Sequence, residues 1–274
     1  LDYLQEEFTI VSVDQILDCV NNNHMLPKNA CWLTFDDGYK DHYKYAFPEL
    51  KKRNLQGSFF PPRDAIQNSE VLDVNLIHFI LAKCKDIVSL KESLDNLCLK
   101  MSIKSSELRD FWKKYGVADS FDDEVTIYIK RMLQQALPEK IRNLIIKKLF
   151  QKYVGISEKE LSGELYMSVS EVCELVKEGM YVGSHGSGHY WMNHLTKENQ
   201  SIEIKNSLGF LEEVGAPTNN WVMCYPYGAY NSDTLSLISS LGAKLGITTV
   251  SNKANLDSNN HLILPRFDTN DFPQ

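Results

Sequence analysis

Short apolar segments alternate with helical segments at both ends of this 274-residue chain, and this alternation restricts the fold more than any other feature. Residues 30–35 and 57–61 have the length and composition of buried strands, with a helix expected between them. After residue 166 the pattern returns, with strands expected at 221–225 and 245–250. Because alternating strands and helices form mostly parallel sheets, we predict an α/β fold, built as a distorted or incomplete (β/α) barrel.

Residues 71–165 show helical spacing of apolar residues throughout and no strand pattern. Within this stretch, Ser120 and Asp123 are spaced like a capping box before a further helix. We therefore predict an all-helical insertion at 71–165 between two parts of one α/β domain, residues 1–70 and 166–274. The sequence leaves open whether the insertion is a lid, a docking surface or a dimer interface, and it leaves the oligomeric state open.

Charge and cysteine content narrow the class of protein. The net charge of −7 argues against a nucleic-acid-binding protein, since such a protein needs a clustered basic face. The six cysteines include no CxxC pair, which favours free thiols in a reducing compartment over a disulfide framework. No apolar stretch is long enough to span a membrane, and no signal peptide is visible. We expect a cytoplasmic protein, while export stays open because the chain begins with leucine.

Two adjacent carboxylates, Asp36 and Asp37, follow the first predicted strand and precede Gly38. The simplest interpretation is an ordinary turn, in which an Asp-Gly pair is common. However, two neighbouring negative charges are costly unless a cation or a proton is shared between them. The pair is therefore a candidate for metal binding or for general-base catalysis.

Two histidines, His185 and His189, lie four residues apart in a glycine-rich segment that follows another short apolar run. Gly186 and Gly188 disfavour a helix here and favour a tight loop. An isolated histidine pair is often structural. Together with one carboxylate from the aspartate pair, however, these imidazoles supply three ligands for a divalent ion, with the other aspartate left as a base.

Two later segments have both an ordinary and a functional interpretation. Residues 224–228 overlap the end of the strand predicted at 221–225. They form either a proline turn or a groove wall with a backbone donor for an oxyanion. Arg266 and Asp268 lie two apart, so they share one face if they lie on a strand. They form either an ordinary ion pair or a group that orients the catalytic carboxylate.

These segments resemble motifs of the polysaccharide deacetylases with a NodB-type homology domain, carbohydrate esterase family 4. Residues 34–38 resemble the first motif of the family. The resemblance implies that Asp36 is the catalytic base and that Asp37 binds the metal. His185 and His189 match the two metal-binding histidines of the second motif.

The third motif of the family resembles residues 224–228, which implies that the backbone N–H of Tyr227 helps to bind the oxyanion. The chain departs from the family at Cys224, where an arginine usually braces the base. We predict that Arg266 supplies this guanidinium from the last strand. The serine or threonine that usually follows the first metal histidine is Gly186, so a hydrogen bond in the metal loop is expected to be absent.

The resemblance implies a metal-dependent hydrolase that removes the N-acetyl group from an acetamido sugar in a polysaccharide or its precursor and releases acetate. The expected cofactor is one Zn²⁺, and Co²⁺, Ni²⁺ or Fe²⁺ also suits two histidines and one carboxylate. The late histidine that serves the family as general acid has no clear match, because His261 precedes Arg266. Contacts with the glycan substrate are predicted for Tyr39, Tyr225, Pro226 and Asp268.

Two alternatives stay open at this point. Another metal-dependent amidohydrolase is possible, although no His-x-His segment lies near the first predicted strand. A glycan-binding or assembly protein that retains a degraded site is favoured by the altered third motif and the missing late histidine. The intact aspartate and histidine pairs count against it.

Overall fold

The computed structural model of the protein describes residues 1–118, 122–257 and 260–272. The chain divides into two compact units. The first unit combines Leu1–Glu70 with Ser162–Gln274, and the second is Val71–Leu161. All of the predicted site residues belong to the first unit.

Within the described residues, the first unit contains seven short strands that pair only in parallel. They are β1 Thr9–Ile10, β2 Ala30–Cys31, β3 Thr34–Asp36, β4 Ser58–Phe60, β5 Tyr181–Val182, β6 Val222–Cys224 and β7 Leu245–Ile247. These strands form three sheets, β1–β2, β3–β4–β5 and β6–β7. Single parallel bridges, Ser184–Met223 and Ile247–Leu264, extend the pairing. The predicted α/β class is confirmed, whereas the described strands do not join into one closed barrel.

Helices connect these strands and make up most of the second unit. The α-helices of the described residues are α1 Asp2–Glu7, α2 Val13–Asn22, α3 Phe47–Lys52, α4 Arg63–Gln67, α5 Asp73–Lys83, α6 Ile87–Lys100, α7 Ser105–Tyr115, α8 Glu124–Arg131, α9 Glu139–Tyr153, α10 Glu158–Leu165, α11 Val169–Lys177, α12 Lys197–Glu213 and α13 Ser232–Ser240. Shorter π-helical and 3₁₀ turns cover His42–Ala46, Met132–Ala136, Met192–His194, Pro226–Gly228, His261–Ile263 and Thr269–Asp271.

Side-chain caps fix the start of several helices. Ser12 and Ser168 form capping boxes at α2 and α11, and the Thr196 hydroxyl accepts a hydrogen bond at the start of α12. Ser120, predicted to begin a capping box, lies outside the described residues. Asp123 is itself the N-cap of α8, because its carboxylate accepts hydrogen bonds from the first turn of that helix.

Successive residues of β6 point into two different buried clusters. Val222 and Cys224 pack with β7 in one cluster, and Met223 packs with α12 and α13 in the other. Tyr225, directly after the strand, belongs to the second cluster and is fully buried. This alternation follows from the two-residue period of an extended chain. The chain turns toward the candidate site after the carboxyl end of β6.

The second unit is all-helical among its described residues. Leu76 and Ile80 of α5 are buried, as is Ile145 of α9, and these two helices make extensive contact. Arg142 of α9 is buried as well and lies 3.7 Å from the carboxylate of Asp73. The biological role of this unit stays a prediction.

The six cysteines are all unpaired, with Cys98 and Cys224 buried and the other four half-buried. Free thiols were the expectation from their spacing. Across the described residues, every helix is too short or too polar to cross a bilayer.

Candidate metal centre and catalytic site

The carboxyl ends of three parallel strands bring the predicted site residues together. Asp36 ends β3, Cys224 ends β6, and His185 follows shortly after β5. In α/β proteins such strand ends are the usual place for binding and catalysis. Here the two adjacent aspartates reach different partners, since Asp36 contacts Arg266 and Asp37 faces the histidines.

A tight turn separates the two carboxylates. Asp37 and Gly38 both have left-handed backbone conformations, with φ of 67° and 69°. Glycine is needed at the second position because a Cβ there would lie 2.8 Å from the Cβ of Pro61. At Asp37, which is not glycine, a left-handed backbone costs about 1–2 kcal/mol. A hydrogen bond from the backbone N–H of Met167 to the carbonyl of Gly38, at 3.0 Å, holds the turn in place.

Three side chains, those of Asp37, His185 and His189, converge on one point. The Nε2 atoms of His185 and His189 lie 3.3 and 3.2 Å from Oδ1 of Asp37, and both histidines are buried. Oδ1 of Asp37 is buried and has no hydrogen-bond partner among the described residues. A buried carboxylate oxygen needs such a partner or a cation. Two imidazoles and one carboxylate form a transition-metal donor set, so these residues fit one divalent ion.

The orientation of His185 is fixed from the side that faces away from Asp37. Its Nδ1 lies 2.7 Å from the backbone carbonyl of Cys224, so that Nδ1 carries the proton and donates it. Such a contact leaves Nε2 as the ligand atom and is common behind metal-binding histidines. Nδ1 of His189 has no corresponding partner among the described residues.

Charges in the site shift the pKa values of these ligands. Burial alone would raise the pKa of Asp37, but His185 and His189 hold it far below its ordinary value, so the carboxylate is ionised. Burial opposes a charged His185, yet its interactions with Cys224, Asp37 and Asp36 raise the pKa of His185 well above its ordinary value. For His189 burial dominates and lowers the pKa. The carboxylate is thus available to a cation at neutral pH.

The loop between the histidines is held by a residue that sequence reasoning missed. Oε2 of Glu203, on α12, accepts hydrogen bonds from the backbone N–H groups of Ser187 at 3.0 Å and Gly188 at 2.8 Å. Glu203 is almost entirely buried. The sequence carried one signal for this role. Glu203 is a charged residue on the buried face of α12, next to Ile204 and one turn before Ser207, and a charge on such a face needs a polar partner.

Arg266 binds the second carboxylate of the pair. Its Nη1 donates to Oδ1 of Asp36 at 2.9 Å, and its Nη2 donates to Oδ2 of the same residue. Nη1 also donates to Oγ1 of Thr34 at 3.0 Å, and Nε donates to the carbonyl of Thr248 at 3.0 Å. Burial would raise the pKa of Asp36, but the Arg266 guanidinium brings it below its ordinary value. Asp36 is therefore an ionised carboxylate in a fixed orientation.

Cys224 lies beside this ion pair, with Sγ 3.5 Å from Nη2 of Arg266. Cys224, Asp36 and His185 form a second group of metal-ligand types close to the first. Both oxygens of Asp36 are engaged by Arg266, however, and a guanidinium charge disfavours a cation at this point. The group of Asp37, His185 and His189 is therefore the better metal site.

An aromatic stack borders the metal ligands. The Tyr227 ring lies 4.7 Å from the His189 ring, and on its other side it stacks on Trp191 at 4.5 Å with planes 6° apart. Trp191 in turn stacks on His194 at 5.6 Å. Tyr227 has φ 58°, a left-handed conformation that turns the chain directly after Pro226. The pairing of Tyr227 with Trp191 was not predicted, since the stack joins residues from two separate loops.

Two of the residues predicted to contact substrate have structural roles in the described part of the chain, and their contact with substrate stays a prediction. Tyr225 is fully buried and its hydroxyl donates to the carbonyl of Leu262 at 2.7 Å, so its ring is part of the core. Asp268 caps the 3₁₀ turn Thr269–Asp271 by accepting a hydrogen bond from the backbone N–H of Asn270 at 2.9 Å. The expected shared face with Arg266 is wrong, because residues 266–268 do not form a strand.

The other two predicted contacts lie near the site. Pro226 is buried, and its Cγ would be 3.9 Å from a Cβ at Gly186, so its ring supports the histidine loop. Tyr39 is half-buried and stacks on Tyr166, with ring centroids 5.8 Å apart. A substrate contact of Tyr39 stays a prediction.

Comparison with known proteins finds a family model that matches part of the chain. The family model described as "Polysaccharide deacetylase" matches residues 145–246, a segment that contains both metal-site histidines and Tyr227. Over this segment, the chain is similar to the polysaccharide deacetylases. The resemblance inferred from the sequence motifs is confirmed. One curated relative, named "Putative polysaccharide deacetylase YxkH" from Bacillus subtilis (strain 168), is 25% identical over 99 residues, which cover 36% of this chain and 35% of the relative.

Solved structures show the same fold over nearly the whole chain. The Streptococcus pyogenes deacetylase PplD, in complex with acetate, has a TM-score of 0.55 and 18% identity, covering 96% of this chain and 74% of its own. The deacetylase domain of BpsB from Bordetella bronchiseptica has a TM-score of 0.54 and 14% identity, with coverages of 97% and 81%. IcaB from Ammonifex degensii has a TM-score of 0.53 and 17% identity, with coverages of 97% and 79%. At these identities the likeness concerns the fold.

Proposed function

We propose that the protein is a metal-dependent hydrolase that removes the N-acetyl group from an acetamido sugar in a polysaccharide or its precursor and releases acetate. The observation that carries this proposal is the buried Oδ1 of Asp37, which has no hydrogen-bond partner in the described part of the chain and faces Nε2 of both His185 and His189. A second carboxylate, that of Asp36, belongs to the preceding residue in the chain and forms an ion pair with Arg266. The relation to polysaccharide deacetylases supports the substrate class, and the fold neighbours support a distorted NodB-type barrel.

Asp37, His185 and His189 would hold the metal ion, with positions left for water and substrate. A bound divalent ion, Zn²⁺ first and Co²⁺, Ni²⁺ or Fe²⁺ as alternatives, supplies a water of lowered pKa and polarises the amide carbonyl. The Cys224 carbonyl keeps Nε2 of His185 available as a ligand through its contact with Nδ1.

The remaining steps belong to side chains and backbone of this chain. Asp36 accepts a proton from the attacking water while Arg266 keeps both carboxylate oxygens in place. The water oxygen bonds to the carbonyl carbon, and the backbone N–H of Tyr227 donates to the carbonyl oxygen as it gains negative charge. The C–N bond then breaks, so acetate forms and the amine takes a proton from solvent, while Asp36 gives its proton back to solvent.

His261 is a poor donor for that last proton. Its Nε2 lies 2.8 Å from the carbonyl of Leu256, so the ring is already engaged in a local contact. The alternative of a degraded, glycan-binding protein loses one of its two arguments, because Arg266 provides a guanidinium where Cys224 leaves none. The proposal includes a cytoplasmic location, which would favour small or lipid-linked precursors as substrates.

The test combines metal content with activity. Elemental analysis of the purified protein should find about one transition metal ion per chain, and the His185→Ala/His189→Ala double variant should lose it. Acetate release from N-acetylglucosamine oligomers should accompany the metal and be absent in the double variant. A wild-type protein that takes up no metal after loading with Zn²⁺ or Co²⁺ would overturn the proposal in favour of a binding role on this fold.

A further inference from the structure

The loop that carries both histidine ligands contains little that would order it by itself. Gly186, Ser187 and Gly188 separate the two histidines, and Gly186 and His189 adopt left-handed conformations with φ of 73° and 56°. Glycine loses more conformational freedom on folding than any other residue. A loop of this composition needs external contacts to present two imidazoles toward one point.

Helix α12 supplies the contacts on one side of this loop. One carboxylate oxygen of Glu203 accepts hydrogen bonds from two consecutive backbone N–H groups, those of Ser187 and Gly188. One turn further along α12, Oγ of Ser207 lies 2.8 Å from Oγ of Ser184, and both serines are fully buried.

Other contacts close the loop. Oγ of Ser184 accepts a hydrogen bond from the backbone N–H of Gly186 at 3.3 Å. On the other side, the Ser187 carbonyl accepts one from the backbone N–H of Asp64 at 2.9 Å. Glu203 thus accepts from two backbone amides between the ligands, whereas Ser184 accepts from the amide of Gly186 and Asp64 donates to the carbonyl of Ser187.

We propose that Glu203 is a positioning residue that orders the loop before the metal binds and thereby sets the metal affinity of the site. This inference rests on the proposed metal site. The Glu203 carboxylate lies beside Gly186, which has no side chain of its own to hold the loop. A Cβ at Gly186 would lie 3.5 Å from Oε2 of Glu203. Without the carboxylate, the two amides lose their acceptor and the loop must be ordered at the moment of metal binding, which weakens affinity.

The experiment measures the Zn²⁺ dissociation constant of metal-free wild-type and variant proteins by competition with a chromogenic chelator. Glu203→Ala should weaken Zn²⁺ binding by about 10- to 100-fold, the range found when an outer partner of a metal ligand is removed. Glu203→Gln keeps an acceptor oxygen and should recover most of the affinity. The matched control is Glu212→Ala, because Glu212 is an exposed glutamate on the same helix.

A merely structural role would lower the unfolding temperature of the metal-free protein and leave the Zn²⁺ dissociation constant of the folded protein unchanged. That result for Glu203→Ala would overturn the inference and leave the proposed function intact. If Glu203→Ala does not fold, Glu203→Met, which fills the same space without an acceptor oxygen, decides in its place, and wild-type affinity in Glu203→Met would also overturn the inference. A wild-type protein without Zn²⁺ affinity would overturn the inference and the proposed function together.

Discussion

Arg266 and Asp36 lie 230 residues apart in the chain and form a two-pronged ion pair at the carboxyl end of β3. The planar guanidinium matches the two carboxylate oxygens, which fixes the plane of the carboxyl group as well as its charge. Asp37, the next residue, faces the histidines instead. The pair therefore separates the tasks of two neighbouring aspartates.

Replacing Arg266 with lysine should impair turnover, although the charge is kept, because an ammonium cannot bind both oxygens in one plane. We expect kcat to fall by at least about tenfold and by up to the roughly 10²–10⁴-fold that general-base catalysis contributes. Metal content should stay at the wild-type level. Arg109→Lys, at an exposed position, is the control. Unchanged kcat in Arg266→Lys would refute the assigned role.

Asp36→Asn should separate metal binding from chemistry. The amide keeps the size of the side chain but cannot accept a proton from water, so we expect a loss of about 10²–10⁴-fold in acetate release. The metal ligands are untouched, so elemental analysis should find wild-type metal content. Asp37→Ala should instead lose the metal. Normal turnover in metal-replete Asp36→Asn would show that another group is the base.

Trp191 should matter for catalysis although it is no metal ligand. Its stacking on Tyr227 supports a left-handed residue whose N–H is assigned to the oxyanion. An aromatic pair contributes about 0.5–1.5 kcal/mol, so Trp191→Ala should reduce kcat by roughly 2- to 13-fold. Trp191→Phe, which keeps a stacking ring, should lose less, and His194→Ala at the outer end of the stack should lose least. Equal kcat in all three variants would contradict this role.

The second unit should become less stable as pH rises toward neutrality. The pKa of Asp73 is raised from 3.8 to about 6. Burial is the main cause, and the negative charges of Glu158 and Glu139 add to it. The positive charges of Arg142 and Lys147 oppose it. The folded protein therefore binds the proton more tightly. This contribution to stability is complete below pH 3.8 and is lost as pH rises through about 6. The gap corresponds to about 3 kcal/mol at about 1.4 kcal/mol per pKa unit.

Asp73→Asn removes this titration and imitates the protonated acid. We expect the variant to unfold at a higher temperature than the wild type above pH 6, with the difference vanishing toward pH 4. Thermal unfolding followed by circular dichroism across this range provides the measurement. Asp110→Asn, an exposed position in the same unit, is the control. A constant difference at all pH values would mean that packing, not titration, is responsible.

Local pattern was sufficient for most of the strands and for bringing the candidate metal-site groups together, but β1 was not predicted and the strand predicted at 30–35 is divided into β2 and β3 in two different sheets. β4 lies within the predicted 57–61 and β6 within 221–225, because buried parallel strands are short and apolar along their length. The aspartate and histidine pairs meet because they follow the carboxyl ends of β3 and β5. Proximity of this kind follows from topology, so a sequence pattern can predict it.

Side-chain direction at irregular positions could not be predicted in the same way. Tyr225 turns into the core because it continues the alternation of β6, and Asp268 caps a turn because the chain has left the sheet. The expected helix after β3 begins as a π-helical turn at His42–Ala46. Pro48 lacks the N–H that would continue the α-helical pattern there, which widens the preceding turn.

Three residues assigned to the site, Asp37, His189 and Tyr227, have left-handed backbone conformations without being glycine. Each conformation costs on the order of 1–3 kcal/mol and persists only where surrounding contacts impose it. Selection of random variants for heat resistance alone would therefore enrich glycine or asparagine at these positions, since both tolerate such conformations. Variants selected in this way would gain thermal stability and lose these site residues together. Thermostability screens of this protein therefore need an activity assay from the first round.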